Sequence, residues 1–308
     1  MTTAVVFAYH NVGVRCLKTL LAHRVEVPLL LTHDDNPQET IWFDRVGATA
    51  ADYGIATLMP VDPNASEVVS RVASCQPDFI FSFYYRLMLK PTLLALPVRG
   101  ALNMHGSLLP KYRGRAPVNW AIIHGETETG ATLHYMTQRP DEGDIVAQTP
   151  VPILPDDTAR DVFDKVTVAA ELTLHSVLPA LIAGTAQRLP QDPNRASYFG
   201  GRKPEDGIID WSQNAARIHN LIRAVAPPFP GARTIIAGRP ARILRSRILD
   251  AHAAAASAPA LSLENGRFVA RCGGGGALVV HELEVDGTGV SPAAFAERMG
   301  ARPVALGA

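Results

Sequence analysis

The sequence predicts an α/β protein, with a doubly wound, mostly parallel Rossmann-like sheet followed by a small C-terminal β-barrel of OB-like type. Over the first half of the chain, short apolar runs alternate with segments of helical periodicity, as in parallel strands joined by helices. The later runs are short and separated by turn residues, which is typical of a barrel. We expect a first domain at residues 1–190, a linker at 191–206 and a second domain at 207–308.

The elements of the first domain follow from hydrophobic periodicity. Strands are expected at residues 3–9, 25–32, 55–59, 79–83, 101–105, 129–135 and 145–150, and helices at 12–23, 43–53, 67–75, 88–95 and 162–182. Ser66 is a candidate cap for one helix, and Thr158 with Asp161 is a capping pair before the longest one. Pro179 lies inside that longest helix, so we expect it to kink or break the helix near its end.

Turn signals divide the second domain. A helix at 215–225 is stopped by a Pro-rich turn, and strands are expected at 234–236, 241–248, 267–272 and 277–283. Four glycines at 273–276 connect two of these strands. Because no helix follows them, they indicate a flexible hairpin turn and not a phosphate-binding loop. The Ala-rich stretch 251–260 indicates a mobile loop.

Composition excludes several classes of function. The chain has 308 residues, 47% apolar and 19% charged, with a net charge of zero. From residue 201 onward there are 13 Lys or Arg against 9 Asp or Glu, a mild and scattered surplus, so we expect no nucleic-acid partner. The three cysteines lie too far apart for a disulfide framework or a metal site. No apolar run has the length of a leader or a membrane span, so we expect a cytoplasmic protein without a membrane partner.

The residues that carry chemistry are concentrated at 100–114, with the sequence GALNMHGSLLPKYRG. If 101–105 is a strand, Asn103 and His105 point to the same face and lie at its carboxyl end. Ligands bind at this end of the strands in an open α/β sheet. The turn after the first strand lacks the G-x-G-x-x-G spacing, so a dinucleotide is not the expected ligand.

These side chains suit the attack of an amine on a carbonyl carbon. His105 can be the general base, because its charge changes near neutral pH. Asn103 can donate a hydrogen bond to the oxygen that becomes negative. Asp141 can pair with the imidazole and favour its protonated form, although the same loop also offers Glu142 and Asp144. The scheme requires no metal.

The string HGSLLPKYRGRAP at 105–117 resembles the hallmark of the 10-formyltetrahydrofolate-dependent formyltransferases, and ETG at 128–130 and RPDEG at 139–143 follow in the family's order. The resemblance implies that Asn103, His105 and Asp141 are the catalytic residues. It also implies 10-formyltetrahydrofolate as co-substrate. The expected contacts of this donor are the backbones of Leu87, Met88 and Leu89, together with Arg115, Thr137, Gln138, Arg139, Pro140 and Asp141.

Further segments are similar to the branch of the family that formylates amino sugars carried on nucleotides. They are MTTAVVFAYHNVG at the start, THDDNP at 32–37, FSFYYRLML at 81–89, SYFGGRKPEDG at 197–207 and IRAVAPPFPGA at 222–232. This likeness, strong over about residues 1–235, implies UDP-4-amino-4-deoxy-L-arabinose as the acceptor. The alternative within the family is methionyl-tRNA formyltransferase, which would need a basic channel for an acceptor stem.

A nucleotide sugar needs cations and a surface on which its ring can stack. Tyr198, Arg202, Lys203 and Arg223 are the candidates for these contacts, whereas Trp211 is expected to pack in a core. A bifunctional relative in this branch also carries a decarboxylating dehydrogenase half, which these 308 residues do not contain. We therefore expect either that a separate dehydrogenase/decarboxylase partner chain supplies that activity or that the acceptor is another amino sugar.

Overall fold

A computed structural model gives the fold and describes residues 1–37, 39–300 and 302–307. The elements up to residue 200 are β1 (Thr3–Ala8), α1 (His10–Ala22), β2 (Glu26–Leu31), α2 (Val46–Asp52), β3 (Ala56–Leu58), α3 (Ser66–Ser74), β4 (Phe79–Phe83), α4 (Pro91–Leu94), β5 (Gly100–His105), β6 (Arg113–Gly114), α5 (Pro117–Ile123), β7 (Glu128–Tyr135), β8 (Ile145–Pro152), α6 (Ala159–Ala183) and β9 (Tyr198–Phe199). The later elements are α7 (Ala215–Ala224), β10 (Ala232–Ile236), β11 (Arg239–Asp250), β12 (Ala260–Glu264), β13 (Arg267–Arg271), β14 (Ala277–Val285), β15 (Thr288–Gly289), α8 (Pro292–Met299) and β16 (Val304–Ala305).

The first sheet has seven strands in the order β3-β2-β1-β4-β5-β7-β8. The first five are parallel, and β7 and β8 run antiparallel to their neighbours. The parallel strands are almost wholly apolar because both faces of such a sheet are covered. One core cluster joins side chains of β1, β2 and β4, among them Phe7, Leu29 and Ile80, to Leu93 of α4. The predicted mostly parallel sheet is confirmed.

The second sheet is antiparallel, with strands in the order β10-β11-β14-β13-β12-β16, and β15 pairs with the end of β14. Ile236 of β10 bridges to Leu306, just beyond β16, so the two edges of the sheet meet and it is nearly closed. One core cluster joins side chains of its strands to those of α7 and includes Trp211, Phe268 and Phe295. The predicted small barrel is therefore confirmed, as is the packing role of Trp211.

The chain divides into two compact units. The first comprises residues 1–117, 128–152 and 163–200, and the second comprises 118–127, 153–162 and 201–308. Residues 191–200, which the sequence assigns to a linker, thus belong to the first unit. Two short segments, 118–127 and 153–162, belong to the second unit although they lie between parts of the first in the sequence.

Several local predictions need correction. The helix expected at 88–95 is helical only from Pro91 to Leu94, since proline fits the first turn of a helix and here begins it. Ser66 is the first residue of α3, whose N-cap is Ala65, so its side chain does not cap the helix. The Ala-rich stretch leads into β12, a strand that the sequence analysis did not predict because this segment has weak strand propensity.

The longest helix, α6, starts as predicted. Asp161 accepts a hydrogen bond from the Thr158 N–H at 2.8 Å, and Thr158 Oγ1 accepts one from the Asp161 N–H at 3.3 Å. Pro179 does not break the helix, which continues to Ala183. By length and composition α6 could cross a membrane, but core helices pass the same test, and 44% of its apolar window is buried inside the protein.

Candidate active site

Strand β5 places Asn103 and His105 on one face at its carboxyl end, as the sequence predicts. The strand lies between β4 and β7, and Asn103 pairs in register with His134 of β7. His105 is 6% exposed. The site thus sits where the parallel part of the sheet meets its antiparallel edge.

A backbone carbonyl fixes the tautomer of His105. Its Nε2 lies 2.8 Å from the carbonyl oxygen of Tyr112, which can only accept, so Nε2 carries a proton and donates it. In the neutral ring, Nδ1 is then the basic nitrogen. The Tyr112 carbonyl thus orients the ring from its Nε2 side, while Asp141 faces Nδ1, as the predicted pairing requires. The Tyr112 N–H is itself anchored by donating to Ser197 Oγ at 2.9 Å.

The Asp141 carboxylate lies between two imidazole rings. Its Oδ1 is 3.7 Å from His105 Nδ1 and 3.5 Å from His134 Nε2, and its Oδ2 accepts the Gly114 N–H at 2.8 Å. Burial alone would raise the pKa of this carboxyl group. The charge of a protonated His105, then the interaction with a protonated His134, and the Gly114 hydrogen bond outweigh burial and hold the pKa below its ordinary value. Asp141 is therefore ionised and can stabilise a positive charge on His105.

His134 is a site residue that the sequence analysis missed. It is 1% exposed, and its Nδ1 donates to the Tyr135 carbonyl at 2.9 Å, which in the neutral ring leaves Nε2 as an acceptor. Asn103 Nδ2 donates to this Nε2 at 3.2 Å. His134 thereby fixes which end of the Asn103 amide carries the N–H groups, and the second N–H of Nδ2 remains for a ligand.

Of the two rival residues, Glu142 has its carboxylate beside arginine side chains. Glu142 lies 3.4 Å from the Arg113 guanidinium and 3.8 Å from that of Arg139. Asp144 accepts the Tyr135 N–H through its backbone carbonyl. The structure therefore brings Asn103, His105 and Asp141 together and adds His134 to them.

The surroundings of the site indicate proton transfer and not covalent catalysis. Ser107, the nearest hydroxyl in sequence to His105, is buried and donates to the Lys111 carbonyl at 2.7 Å. Within residues 1–37, 39–300 and 302–307, no group of three or more His, Cys, Asp or Glu side chains could hold a metal ion. A base, an oriented N–H donor and a carboxylate are what attack by an amine requires.

The residues expected to contact the formyl donor lie in two segments of the first unit. Leu87 and Met88 are exposed by 40% and 56%, whereas Leu89 packs in the core. The side chain of Asn64 holds this segment, since it donates to the Met88 carbonyl at 2.9 Å and accepts the Lys90 N–H at 2.7 Å. Asp141 is half-buried. The other expected contacts are exposed, and they are Arg115, Thr137, Gln138, Arg139 and Pro140. Their contact with a donor stays a prediction.

The expected nucleotide-sugar contacts are divided between the units. Tyr198 belongs to the first unit, where its hydroxyl donates to the Pro140 carbonyl at 2.9 Å. Arg202, Lys203 and Arg223 belong to the second. Arg223 is 7% exposed and donates to the carbonyls of Asp157 and Leu154, so in this structure it ties the second unit together. The role of all four in binding stays a prediction.

Solved structures of known function share this fold. An N-formyltransferase from Helicobacter canadensis, solved with folinic acid and dTDP-3-aminofucose, is 20% identical, with a TM-score of 0.73 over 91% of this chain and 99% of that chain. The sugar 3N-formyl transferase WlaRD, solved with dTDP and 5-N-formyl-THF, is also 20% identical, with a TM-score of 0.71 over 91% and 97%. A sugar N-formyltransferase from Shewanella is 19% identical, with a TM-score of 0.61 over 76% and 92%.

Family models cover most of the sequence. The model described as formyl transferase matches residues 19–178, which is more than half of the chain and includes Asn103, His105, His134 and Asp141. The model described as formyl transferase, C-terminal domain, matches residues 202–299, which contain the barrel. The chain therefore belongs to the formyl transferase family.

Proposed function

We propose that this protein transfers a formyl group from 10-formyltetrahydrofolate to the amino group of a nucleotide-linked sugar, and that the acceptor is UDP-4-amino-4-deoxy-L-arabinose. The observation that carries the proposal is the arrangement of Asn103, His105, His134 and Asp141 at the carboxyl end of β5 in a chain of this family. It supplies the base, the N–H donor and the carboxylate that acyl transfer to an amine needs.

In the proposed reaction the neutral sugar amine attacks the formyl carbon, and a new C–N bond forms. The second N–H of Asn103 Nδ2, oriented by His134, donates to the formyl oxygen as it becomes negative. His105 Nδ1 takes the proton that the amine loses, and Asp141 stabilises the resulting imidazolium. The bond between the formyl carbon and the folate nitrogen then breaks, and the same proton goes to that nitrogen.

The residues of the first unit fit a formyl folate. A flat pterin requires apolar surface next to backbone hydrogen-bonding groups. Leu87 and Met88 expose apolar side chains on a backbone segment that Asn64 holds in place. Two of the structural relatives were solved with folinic acid or 5-N-formyl-THF.

Two lines of support favour a sugar acceptor. The structural relatives include an enzyme solved with dTDP-3-aminofucose and two described as sugar formyltransferases. Segments 197–207 and 222–232 resemble the branch that uses nucleotide sugars, and this likeness is the basis for choosing the UDP-linked arabinose. The balanced net charge of the chain gives no support to a tRNA acceptor.

The test compares the rates of formyl transfer to three acceptors. The purified protein is incubated with 10-formyltetrahydrofolate and one of three acceptors: UDP-4-amino-4-deoxy-L-arabinose, dTDP-3-aminofucose or charged initiator tRNA. Mass spectrometry detects the formamide product. We expect the highest kcat/KM with the UDP-linked arabinose. Faster transfer to the dTDP sugar would overturn the choice of sugar, and transfer to the tRNA alone would overturn the sugar-nucleotide proposal as a whole.

A further inference from the structure

The segment at residues 187–200 has a composition typical of a linker, yet its hydrogen bonds go to both loops of the active site. The Ser197 and Phe199 carbonyls accept the N–H groups of Arg113 and Arg115, each at 2.9 Å. Tyr198 donates to the Pro140 carbonyl. The segment therefore touches the loop that holds His105 and the loop that carries Asp141.

Gln191 makes the central contacts of this segment. Its Nε2 donates to the carbonyls of Asp141 at 2.8 Å and Gly143 at 2.7 Å. Its Oε1 accepts from Arg113, at 2.9 Å from Nη2 and 3.2 Å from Nε. Both amide hydrogens and both lone pairs of the Gln191 side chain are thus used, so its orientation is fixed.

The loop that Gln191 holds has a constrained backbone. Asp141 has a φ of 57°, in the left-handed region that residues other than glycine adopt less readily. At Gly143 a side chain is excluded, because a Cβ would lie 1.9 Å from the Tyr135 carbonyl oxygen. Arg113, on the other side of Gln191, is 6% exposed and also lies 3.4 Å from Glu142. The buried Arg113 side chain is therefore linked, through the side-chain amide of Gln191, to the backbone of Asp141.

We propose that Gln191 is a positioning residue, which sets the distance of the Asp141 carboxylate from His105 and His134 through the Asp141 and Gly143 carbonyls. This inference rests on the proposed formyl transfer and adds a residue to its site. Gln191 itself touches none of the reacting groups in this scheme. Its effect on the rate is exerted through Asp141, and without the Asp141 charge it has nothing to position.

A double-mutant cycle tests the inference. Gln191→Glu keeps the volume and the Arg113 contact but removes both N–H donors, and Gln191→Ala removes the side chain. We expect each to lower kcat by roughly 10- to 100-fold in the wild-type background, because a small misplacement of a catalytic group has this effect. In an Asp141→Asn background the same changes should alter kcat by less than about twofold. Asn194→Ala, on the same segment with an exposed side chain, is the matched control and should leave kcat unchanged.

A second readout does not depend on the acceptor. In protein with 15N-labelled histidine, the side-chain signals of His105 and His134 should shift in the Gln191 variants and stay in place in Asn194→Ala. Equal losses of kcat in both backgrounds, or unshifted histidine signals in folded Gln191→Ala, would overturn the positioning role. Wild-type protein that is inactive with every amino sugar, while the histidine signals shift as expected, would instead contradict the proposed function.

Discussion

His134 determines how Asn103 can act. An asparagine amide can present either its oxygen or its N–H groups to a ligand, and only the latter stabilises an oxyanion. Because His134 Nδ1 donates to the Tyr135 carbonyl, its Nε2 accepts in the neutral ring, and it accepts from Asn103. In the proposed mechanism, the orientation of the Asn103 amide therefore depends on a histidine from the neighbouring strand.

Replacement of His134 by alanine should release the Asn103 amide. We expect kcat to fall roughly 10- to 100-fold, less than the ~100- to 1000-fold typical of removing an oxyanion donor outright, with little change in the KM of the formyl donor. Steady-state kinetics with saturating acceptor measures both quantities. His252→Ala, which changes an exposed histidine of the second unit, is the control. An unchanged kcat in folded His134→Ala would show that Asn103 needs no such partner.

The Asp141 carboxyl links stability to pH. Despite burial, His105, His134 and the Gly114 N–H keep its pKa below the ordinary value, so the unfolded chain binds this proton more readily than the folded protein. The carboxylate thus contributes stability that is present above about pH 4 and is lost as the pH falls further. We expect the unfolding free energy of the wild type, relative to that of Asp141→Asn, to decline as the pH falls from about 5 to about 3. Urea titrations check this, and a difference independent of pH would contradict it.

At the level of the elements, the segment around Met88, which follows β4, is held in place by the side chain of Asn64 and not by pairing with a strand. Asn64 bonds both the Met88 carbonyl and the Lys90 N–H, so it acts like a neighbouring strand for this stretch. Asn64→Ala should raise the KM of the formyl donor about tenfold, the equivalent of about 1.4 kcal/mol, with kcat near that of the wild type. Asn194→Ala is the control here as well. A fall in kcat at an unchanged donor KM would place the effect of Asn64 elsewhere.

Local sequence was sufficient for the elements with strong periodicity. The apolar run ending at His105 predicted β5, and the Thr158–Asp161 pair predicted the start of α6. His134 could not be identified in the same way, because its place opposite Asn103 depends on the register of β5 and β7, which are 22 residues apart. The only signal in the sequence was a single histidine, His134, in the strand predicted at 129–135, which follows the motif at 105–117.

The linker prediction shows a second limit of local reasoning. Residues 187–206, which include the predicted linker at 191–206, are rich in Pro, Asn, Arg and Gly, and such composition is typical of a flexible connection. Here Gln191, Ser197 and Tyr198 use their polar groups to bind loops that are distant in sequence. Only the tertiary structure shows those partners, so composition alone could not distinguish a linker from a scaffold.

In the molecule as a whole, the second unit depends on the close packing of the glycine run at 273–276 against the start of α7. The sequence predicted only a flexible hairpin turn there. Gly274 donates its N–H to the Gln213 carbonyl, and Ala215 donates to the Gly275 carbonyl. A Cβ at Gly274 would lie 2.6 Å from the backbone of Gln213 and Asn214. The glycine run therefore joins β13 to β14 and also packs against the start of α7.

Gly274→Ala should accordingly destabilise the second unit by about 1–3 kcal/mol, the usual cost of overpacking. Gly289→Ala is the control, since an added Cβ there meets nothing within 4 Å. Urea unfolding followed by circular dichroism measures both variants. Equal unfolding free energies of the two variants would show that the glycine turn does not pack against α7.

In the proposed mechanism, the formyl transfer as a whole depends on one proton acceptor, His105. The most direct measurement is the single-turnover rate of formyl transfer to UDP-4-amino-4-deoxy-L-arabinose by His105→Ala and by the wild type, with circular dichroism to confirm that both are folded. Loss of the general base should slow the variant on the order of 100- to 10,000-fold. A variant that transfers the formyl group at nearly the wild-type rate would contradict the role assigned to the site at the end of β5.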